Sequence, residues 1–147
     1  MAEAYAAQAL VENRFIFGSE HPITVSSAID LSVADQSQGK FAQSELLARE
    51  ALEFDSKSQP DGWQRFLADS LLGASLSGQK KYREAEPLLL KGYQGMLARQ
   101  QRMAFQDRYY LDLAREWIVQ LYQDWGKPEQ AAEWREKHPA STPVPRN

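Results

Sequence analysis

The spacing of apolar positions predicts a long helix in the middle of the chain. In the segment GQKKYREAEPLLLKGY, the residues Tyr82, Ala85, Leu89 and Gly92 recur three or four positions apart and therefore share one helix face. The small side chains of Ala85 and Gly92 allow a neighbouring helix to approach closely. The segment just upstream, LADSLLGASLSG, has a helical apolar face of its own. Because only a very short turn separates the two segments, they are expected to form an antiparallel helical hairpin.

The same periodicity predicts an all-α chain of about seven helices and no strand. The expected helices cover residues 3–17, 23–36, 41–55, 62–76, 82–99, 107–125 and 128–137. Glycine and proline punctuate the connections, as is typical of helix ends. Asp61 is expected to cap the fourth helix, and Pro87 predicts a kink or a late start in the fifth.

The first predicted helix has an apolar stripe of its own. Ala4, Ala7, Val11 and Phe15 share a face, with Leu10 beside it. This stripe is expected to be covered by the next helix on one side and by another chain on the other. The helix also has the pattern of the second helix of a hairpin whose first helix is missing, which suggests that the chain is a fragment of a longer protein.

Two segments of the chain match at an offset of 41 residues. GKFAQSELLAREAL, from Gly39, aligns with KKYREAEPLLLKGY, from Lys80, so that aromatic, acidic, apolar and small residues coincide. A third copy, GKPEQAAEWREK, places Ala131 where Ala85 lies, at an offset of 46. Matching turns, small residues and helix order together predict an array of helical hairpins.

These repeats resemble tetratricopeptide repeats. Leu72-Gly73, Leu76, Ala85 and Leu89 follow that pattern, whereas FGSEHPIT and YREAEPLLLKGY are similar to the kinesin-light-chain subtype. The chain also resembles the repeat arrays behind the kinase domains of bacterial serine/threonine kinases, but it has no kinase motif itself. The resemblance implies an α-α superhelix over residues 3–138. It comprises a lone helix at 3–17, repeats at 22–55, 61–99 and 106–138, and a flexible tail at 139–147. A HEAT-type array, whose period overlaps 41 residues, is the alternative fold.

In such arrays the first helix of each hairpin lines the concave side. The repeat register therefore predicts a groove that binds a peptide or partner protein. Its predicted contact residues are Ser26, Ile29, Val33, Gln36, Leu67, Ser70, Ser77, Glu116, Gln120 and Gln123, with Ala74 and Leu113 in the same register. Family positions that often hold paired asparagines are here Ile29-Asp30, Ser70-Leu71 and Glu116-Trp117, and a lysine-rich carboxylate clamp is also unmatched. The ligand preferences of family members therefore cannot be assigned to this chain. The alternative to a binding groove is that these residues form a solvated helix face without a partner.

The composition of the chain excludes several classes of function. The chain has 147 residues, a net charge of −3 and no cysteine, which argues against nucleic-acid binding and against thiolate chemistry. The acidic N-terminus and the lack of a long apolar run favour a cytoplasmic protein without a membrane span. His21 and His138 both precede proline and are expected to be structural, so neither a cofactor nor a metal is predicted. The expected role is a non-catalytic scaffold.

Two other roles remain open from the sequence. The module could serve for oligomerisation or spacing within a larger signalling protein, or it could be an enzyme whose site follows no recognised pattern. Three tryptophans, Trp117, Trp125 and Trp134, lie in the last third of the chain. Large rings there indicate either a packed terminal core or a surface for homodimer formation through the terminal helices.

Overall fold

The computed structural model describes residues 2–139, which form seven α-helices and two short 3₁₀ turns and contain no strand. The α-helices are α1 (Ala2–Phe17), α2 (Pro22–Ser37), α3 (Phe41–Ser58), α4 (Trp63–Gly78), α5 (Tyr82–Ala98), α6 (Tyr109–Asp124) and α7 (Pro128–Lys137). The 3₁₀ turns, Gln100–Arg102 and Phe105–Asp107, connect α5 to α6. The all-α prediction is confirmed. The predicted tail falls on residues 140–147, outside the described part of the chain, except for Pro139.

Successive helices pack as antiparallel neighbours, each against the next along the chain. In addition, α4 contacts both α2 and α6, whereas the helices α3, α5 and α7 approach one another less closely. Helices α2, α4 and α6 therefore form an inner layer, and the array curves towards it.

Three helix ends show the repeat directly. Gly39, Lys80 and Gly126 each have a positive φ, of 77°, 66° and 75°. The amide of the following residue donates to the carbonyl five residues earlier in each case, at 2.8, 2.9 and 2.8 Å. This is the Schellman geometry, in which a left-handed residue ends the helix. The spacing of the three residues reproduces the offsets of 41 and 46 read from the sequence.

Helices α4 and α5 pack so closely that only small residues fit between them. A Cβ atom on Gly92 would lie 2.7 Å from the Phe66 carbonyl oxygen and 2.0 Å from the Ser70 hydroxyl. A Cβ atom on Gly73 would lie 2.7 Å from Leu89. Ala85 and Leu89, on the predicted face of α5, are fully buried. The sequence prediction of a close helix contact through small residues is confirmed.

Buried serines connect the three successive helices α2, α3 and α4. The Ser32 hydroxyl lies 2.9 Å from that of Ser44, which also accepts a hydrogen bond from Ser75 at 2.9 Å. Ser44 and Ser75 are themselves fully buried. Each hydroxyl also bonds a backbone carbonyl, so that this polar cluster satisfies itself inside the core.

Two local expectations about α4 and α5 differ from the structure. Helix α5 begins at Tyr82, ahead of Pro87, so the late start is not observed. Asp61 does not cap α4, whose N-cap is Gly62. Its carboxylate instead pairs with the guanidinium groups of Arg99 and Arg102, which ties the loop before α4 to the end of α5.

The apolar stripe of α1 also lies elsewhere than expected. Only Leu10 of this helix is buried, while Val11 and Phe15 are 67% and 90% exposed. Polar contacts join α1 to the rest of the array, including a hydrogen bond from Asn13 to Ser27 and an ion pair between Arg14 and Glu50. The expectation that α2 covers one side of the stripe is wrong at Val11 and Phe15, because Leu10 and polar side chains occupy the contact.

Candidate functional site

The inner layer has two cavities, one near each end of its helices. The larger, of about 270 Å³, lies among α2, the end of α3, the start of α4 and the start of α6. The smaller, of about 60 Å³, lies among the opposite ends of α2, α4 and α6. On α4 the cavities are lined at Leu67 and at Ala74 to Ser77, so they lie about 10–15 Å apart along the helix.

The larger cavity combines aromatic walls with acidic groups. Its lining includes Trp63 and Tyr110, whose ring centroids are 6.1 Å apart, together with Phe54. Asp55 and Asp107 also line it. No lysine or arginine is among its lining residues within the described chain. The cavity therefore offers negative charge beside π-faces, without a basic side chain of its own.

Asp55 is the most unusual group in this cavity. Asp55 is only 3% exposed, and its Oδ2 atom has no hydrogen-bond partner within residues 2–139. Burial raises the pKa of the Asp55 carboxyl from 3.8 to about 6, and no neighbouring cation lowers it. At neutral pH this carboxyl is nonetheless largely ionised.

The phenol pKa of Tyr110 is shifted by the burial and the negative charges around this cavity. Burial raises its phenol pKa well above the usual value, and the hydrogen bond with Tyr109 and the negative charges of Asp30 and Asp107 raise it further. The negative charges of these two carboxylates therefore act on the ring that forms one wall of the cavity. Burial also raises the pKa of the Asp30 carboxyl.

Six of the ten predicted contact residues line these cavities. Ser26, Ile29 and Leu67 line the larger one, and Gln36, Ser77 and Gln120 line the smaller one. Ala74, from the same register, also lines the smaller cavity. The repeat register therefore places residues from separate helices at common cavities.

The other four predicted residues lie elsewhere. Ser70 is fully buried against Gly92, so in this conformation its side chain packs α4 on α5 and does not reach a ligand. Val33 packs, half-buried, against the core. Glu116 is exposed and pairs with Arg115. The Gln123 side-chain amide lies against the Arg135 guanidinium of α7, whose N–H groups donate to the amide oxygen in the flipped orientation of that amide.

The sequence reasoning missed the residues that give the larger cavity its character. Asp55, Trp63 and Tyr110 lie at the end of α3, at the start of α4 and near the start of α6, whereas the repeat register selects only one face of α2, α4 and α6 and includes none of the three. One signal was present. An aspartate in the last turn of a helix opposes the helix macrodipole, and such local conflicts concentrate at functional positions.

The histidines and the late tryptophans make intramolecular contacts. The His21 Nδ1 accepts from the Ile23 amide, and His138 stacks on Trp134 at 4.1 Å. Trp125 stacks on Tyr82 at 5.8 Å. These rings pack the last hairpins together. Residues 2–139 contain no helix long and apolar enough to cross a membrane.

The observed fold is a solenoid of helical hairpins, and comparison with solved structures identifies the kind of repeat. A protein described as a kinesin light chain with nearly identical TPR-like repeats, from Podospora anserina, matches 92% of this chain at 19% identity with a TM-score of 0.58. BtubC (BKLC) from P. vanneervenii matches 99% at 16% identity with a TM-score of 0.62. This chain therefore has a tetratricopeptide-like repeat fold, similar to that of kinesin-light-chain structures, as the sequence resemblance predicts.

The similarity concerns the fold and a part of each relative. The chain spans 63% and 59% of the length of the two structures that it matches. No protein-family model matches the sequence, and neither does any curated protein.

Proposed function

We propose that this chain is a non-catalytic scaffold that binds a peptide or partner protein along its inner layer, in the cytoplasm. The observation that carries the proposal is the pair of cavities formed jointly by α2, α4 and α6. A ligand that fills both must lie across three successive hairpins. An extended peptide advances about 3.3 Å per residue, so about three to five residues bridge the two cavities.

The chemistry of the lining supports a protein ligand. Amide and hydroxyl groups of Gln36, Ser77 and Gln120 surround the smaller cavity, where they can meet a peptide backbone. The Gln36 Oε1 atom is buried without a hydrogen-bond partner in the described chain, so one acceptor remains for a ligand. Aromatic and aliphatic side chains dominate the larger cavity, as is common at binding sites.

Charge insertion into the groove tests the proposal. Ser26→Arg and Gln120→Arg each place a long cation at one cavity, on exposed positions that tolerate the change. Gln43→Arg makes the same charge change at an exposed position of the outer helix α3 and serves as the control. Peptides selected from a random display library against the wild-type protein are then measured against all three variants by calorimetry.

We expect the selected peptides to lose at least tenfold in affinity for a groove variant and to keep their affinity for Gln43→Arg. If every selected peptide binds both groove variants as well as the wild type, the inner layer is not the binding surface. Circular dichroism of each variant confirms that the array is folded.

The second candidate function is self-association. The chain would form oligomers by itself, or it would serve as an oligomerisation or spacer module in a larger bacterial signalling protein such as a serine/threonine kinase. The apolar face of α1 favours it, because Tyr5, Val11, Phe15 and Ile16 are each at least 66% exposed. An exposed apolar cluster of this kind commonly marks an interface. In contrast, Trp134 packs within the chain against Tyr93 at 5.4 Å.

Sedimentation velocity separates the two candidates. If α1 mediates a homodimer, Phe15→Ser shifts the wild-type dimer towards monomer, whereas Leu46→Ser, at a 70% exposed site on α3, does not. A wild-type protein that stays monomeric up to several hundred micromolar eliminates the homodimer and leaves the groove as the functional surface.

A further inference from the structure

We propose that the larger cavity of the inner layer is a cation-selective subsite, which binds the guanidinium or ammonium group of an arginine or lysine side chain. That this side chain belongs to a partner peptide rests on the proposed groove function. The subsite itself rests on three independent features of the cavity, which are an unpaired buried carboxylate, a one-sided charge distribution and aromatic walls.

The unpaired carboxylate is Asp55. Two other aspartates of the described chain are equally buried, but each has a cation nearby: Asp69 lies 3.9 Å from the Lys91 ammonium, and the Lys40 ammonium acts to lower the pKa of Asp35. The Oδ2 atoms of Asp55 and Asp69 both lack a hydrogen-bond donor, but within residues 2–139 no cation pairs with Asp55, and an isolated buried charge is costly. Because Asp55 lines the cavity, a ligand that enters can supply the missing donor.

The surrounding charges have the sign that such a ligand needs. Asp107 lines the same cavity, and Asp30 acts on the Tyr110 ring in its wall. No lysine or arginine of the described residues lines it. An anionic ligand would be repelled by Asp55, and a neutral donor would leave its charge uncompensated, whereas an organic cation both donates to the carboxylate and neutralises it.

The aromatic walls suit a planar or compact organic cation. The rings of Trp63 and Tyr110 are neighbours in the cavity lining, and the π-face of an aromatic ring attracts guanidinium and ammonium groups. The cavity volume of about 270 Å³ is roughly nine times the share of one water molecule in the liquid, so it accommodates a long basic side chain. A buried carboxylate and two aromatic rings that line the same cavity therefore suit a basic anchor residue.

The test uses single-residue probes. The wild-type protein is titrated with N-acetyl-arginine methylamide and with N-acetyl-citrulline methylamide, which has nearly the same shape but no charge. Binding is followed at pH 7.5 through the indole N–H signal of Trp63 in ¹⁵N–¹H spectra. We expect the arginine probe to bind with a Kd on the order of 1 mM and at least about tenfold more tightly than the citrulline probe.

A matched pair of variants assigns the preference to the carboxylate. Asp55→Asn should reduce the preference for the arginine probe to less than about twofold. Asp69→Asn removes an equally buried carboxylate outside the cavity and should leave the preference intact. The inference is overturned if the arginine probe binds no better than the citrulline probe, if it does not bind, or if Asp55→Asn retains the wild-type preference.

The outcome also distinguishes this inference from the proposed function. If the arginine probe fails while Ser26→Arg and Gln120→Arg still weaken peptide binding, the groove stands and the cation subsite is wrong. If the arginine probe binds as expected but selected peptides ignore both groove variants, the subsite stands and the peptide groove is wrong.

Discussion

The contact between α4 and α5 predicts a large effect of a single methyl group at Gly92. Gly92→Ala puts a Cβ atom 2.7 Å from the Phe66 carbonyl oxygen and 2.8 Å from the Ser70 amide nitrogen. Both atoms belong to backbone and cannot rotate away. The two helices therefore have to separate by roughly half an ångström, which loosens packing along their whole contact.

The magnitude follows from two opposing effects. Overpacking a tight core typically costs about 1–3 kcal/mol, and a backbone obstacle puts this case near the upper end. Alanine gains back about 1 kcal/mol because it is a better helix former than glycine. We therefore expect Gly92→Ala to lower the free energy of unfolding by about 2 kcal/mol, which corresponds to a Tm decrease on the order of 6 °C.

Urea denaturation followed by circular dichroism measures the change. Gln94→Ala, at an exposed position of the same helix, is the control and should stay within about 0.5 kcal/mol of the wild type. Ser70→Ala combined with Gly92→Ala removes the hydroxyl contact but not the two backbone contacts, so it should restore only part of the loss. A Gly92→Ala protein as stable as the wild type would refute the close approach of α4 and α5.

Three further predictions address single residues. Lys80→Gly should raise the free energy of unfolding by about 1 kcal/mol in urea denaturation, because Lys80 holds the left-handed conformation that Gly39 and Gly126 hold elsewhere, and an unchanged midpoint would contradict this. Asp55→Asn should be more stable than the wild type above pH 6, by at most about 3 kcal/mol, with the difference vanishing near pH 4. The native pKa exceeds the unfolded value, so wild-type stability falls as pH rises from 3.8 to about 6, and parallel pH profiles of Tm would be inconsistent with a buried charge. Ser44→Ala should cost about 1 kcal/mol by calorimetry, since it removes the hydroxyl that joins two buried serines, and a gain in stability would show that the cluster is not stabilising.

The sequence predicted the architecture because local and repeat signals agree. The positions Gly39, Lys80 and Gly126 occupy one structural site, although only two of them are glycine, so the alignment of neighbouring residues carried the register through Lys80. Ala85 and Gly92 indicated a close helix contact because small residues on an apolar face have few other uses. The observed helix ends differ from the predicted ones by at most three residues, since propensity is weak where helices end.

The candidate site was harder to predict because it depends on which helix faces meet. Periodicity shows that Ser70 lies on a face of α4, but it does not show which neighbour that face meets. In the structure Ser70 packs against Gly92 of α5 and does not reach solvent. Asp55 lies on an outer-layer helix and reaches the inner cavity only because the end of α3 abuts α2 and α4. Val11 and Phe15 of α1 form a periodic apolar stripe that faces outward, a pattern indistinguishable in sequence from a buried one.

The complete burial of α4 from Phe66 to Ser77 has a consequence for how the molecule opens. Solenoids fray from their ends, because each terminal hairpin has a neighbour on one side alone. Helix α4 has neighbours on both, and it cannot lose its shape until either α2 and α3 or α5 and α6 have detached. Its amide protons should therefore exchange with solvent deuterium at the rate set by global unfolding, hours after those of α1 and α7 have been replaced. Because α4 packs against hairpins on both sides, it couples their unfolding into one cooperative transition.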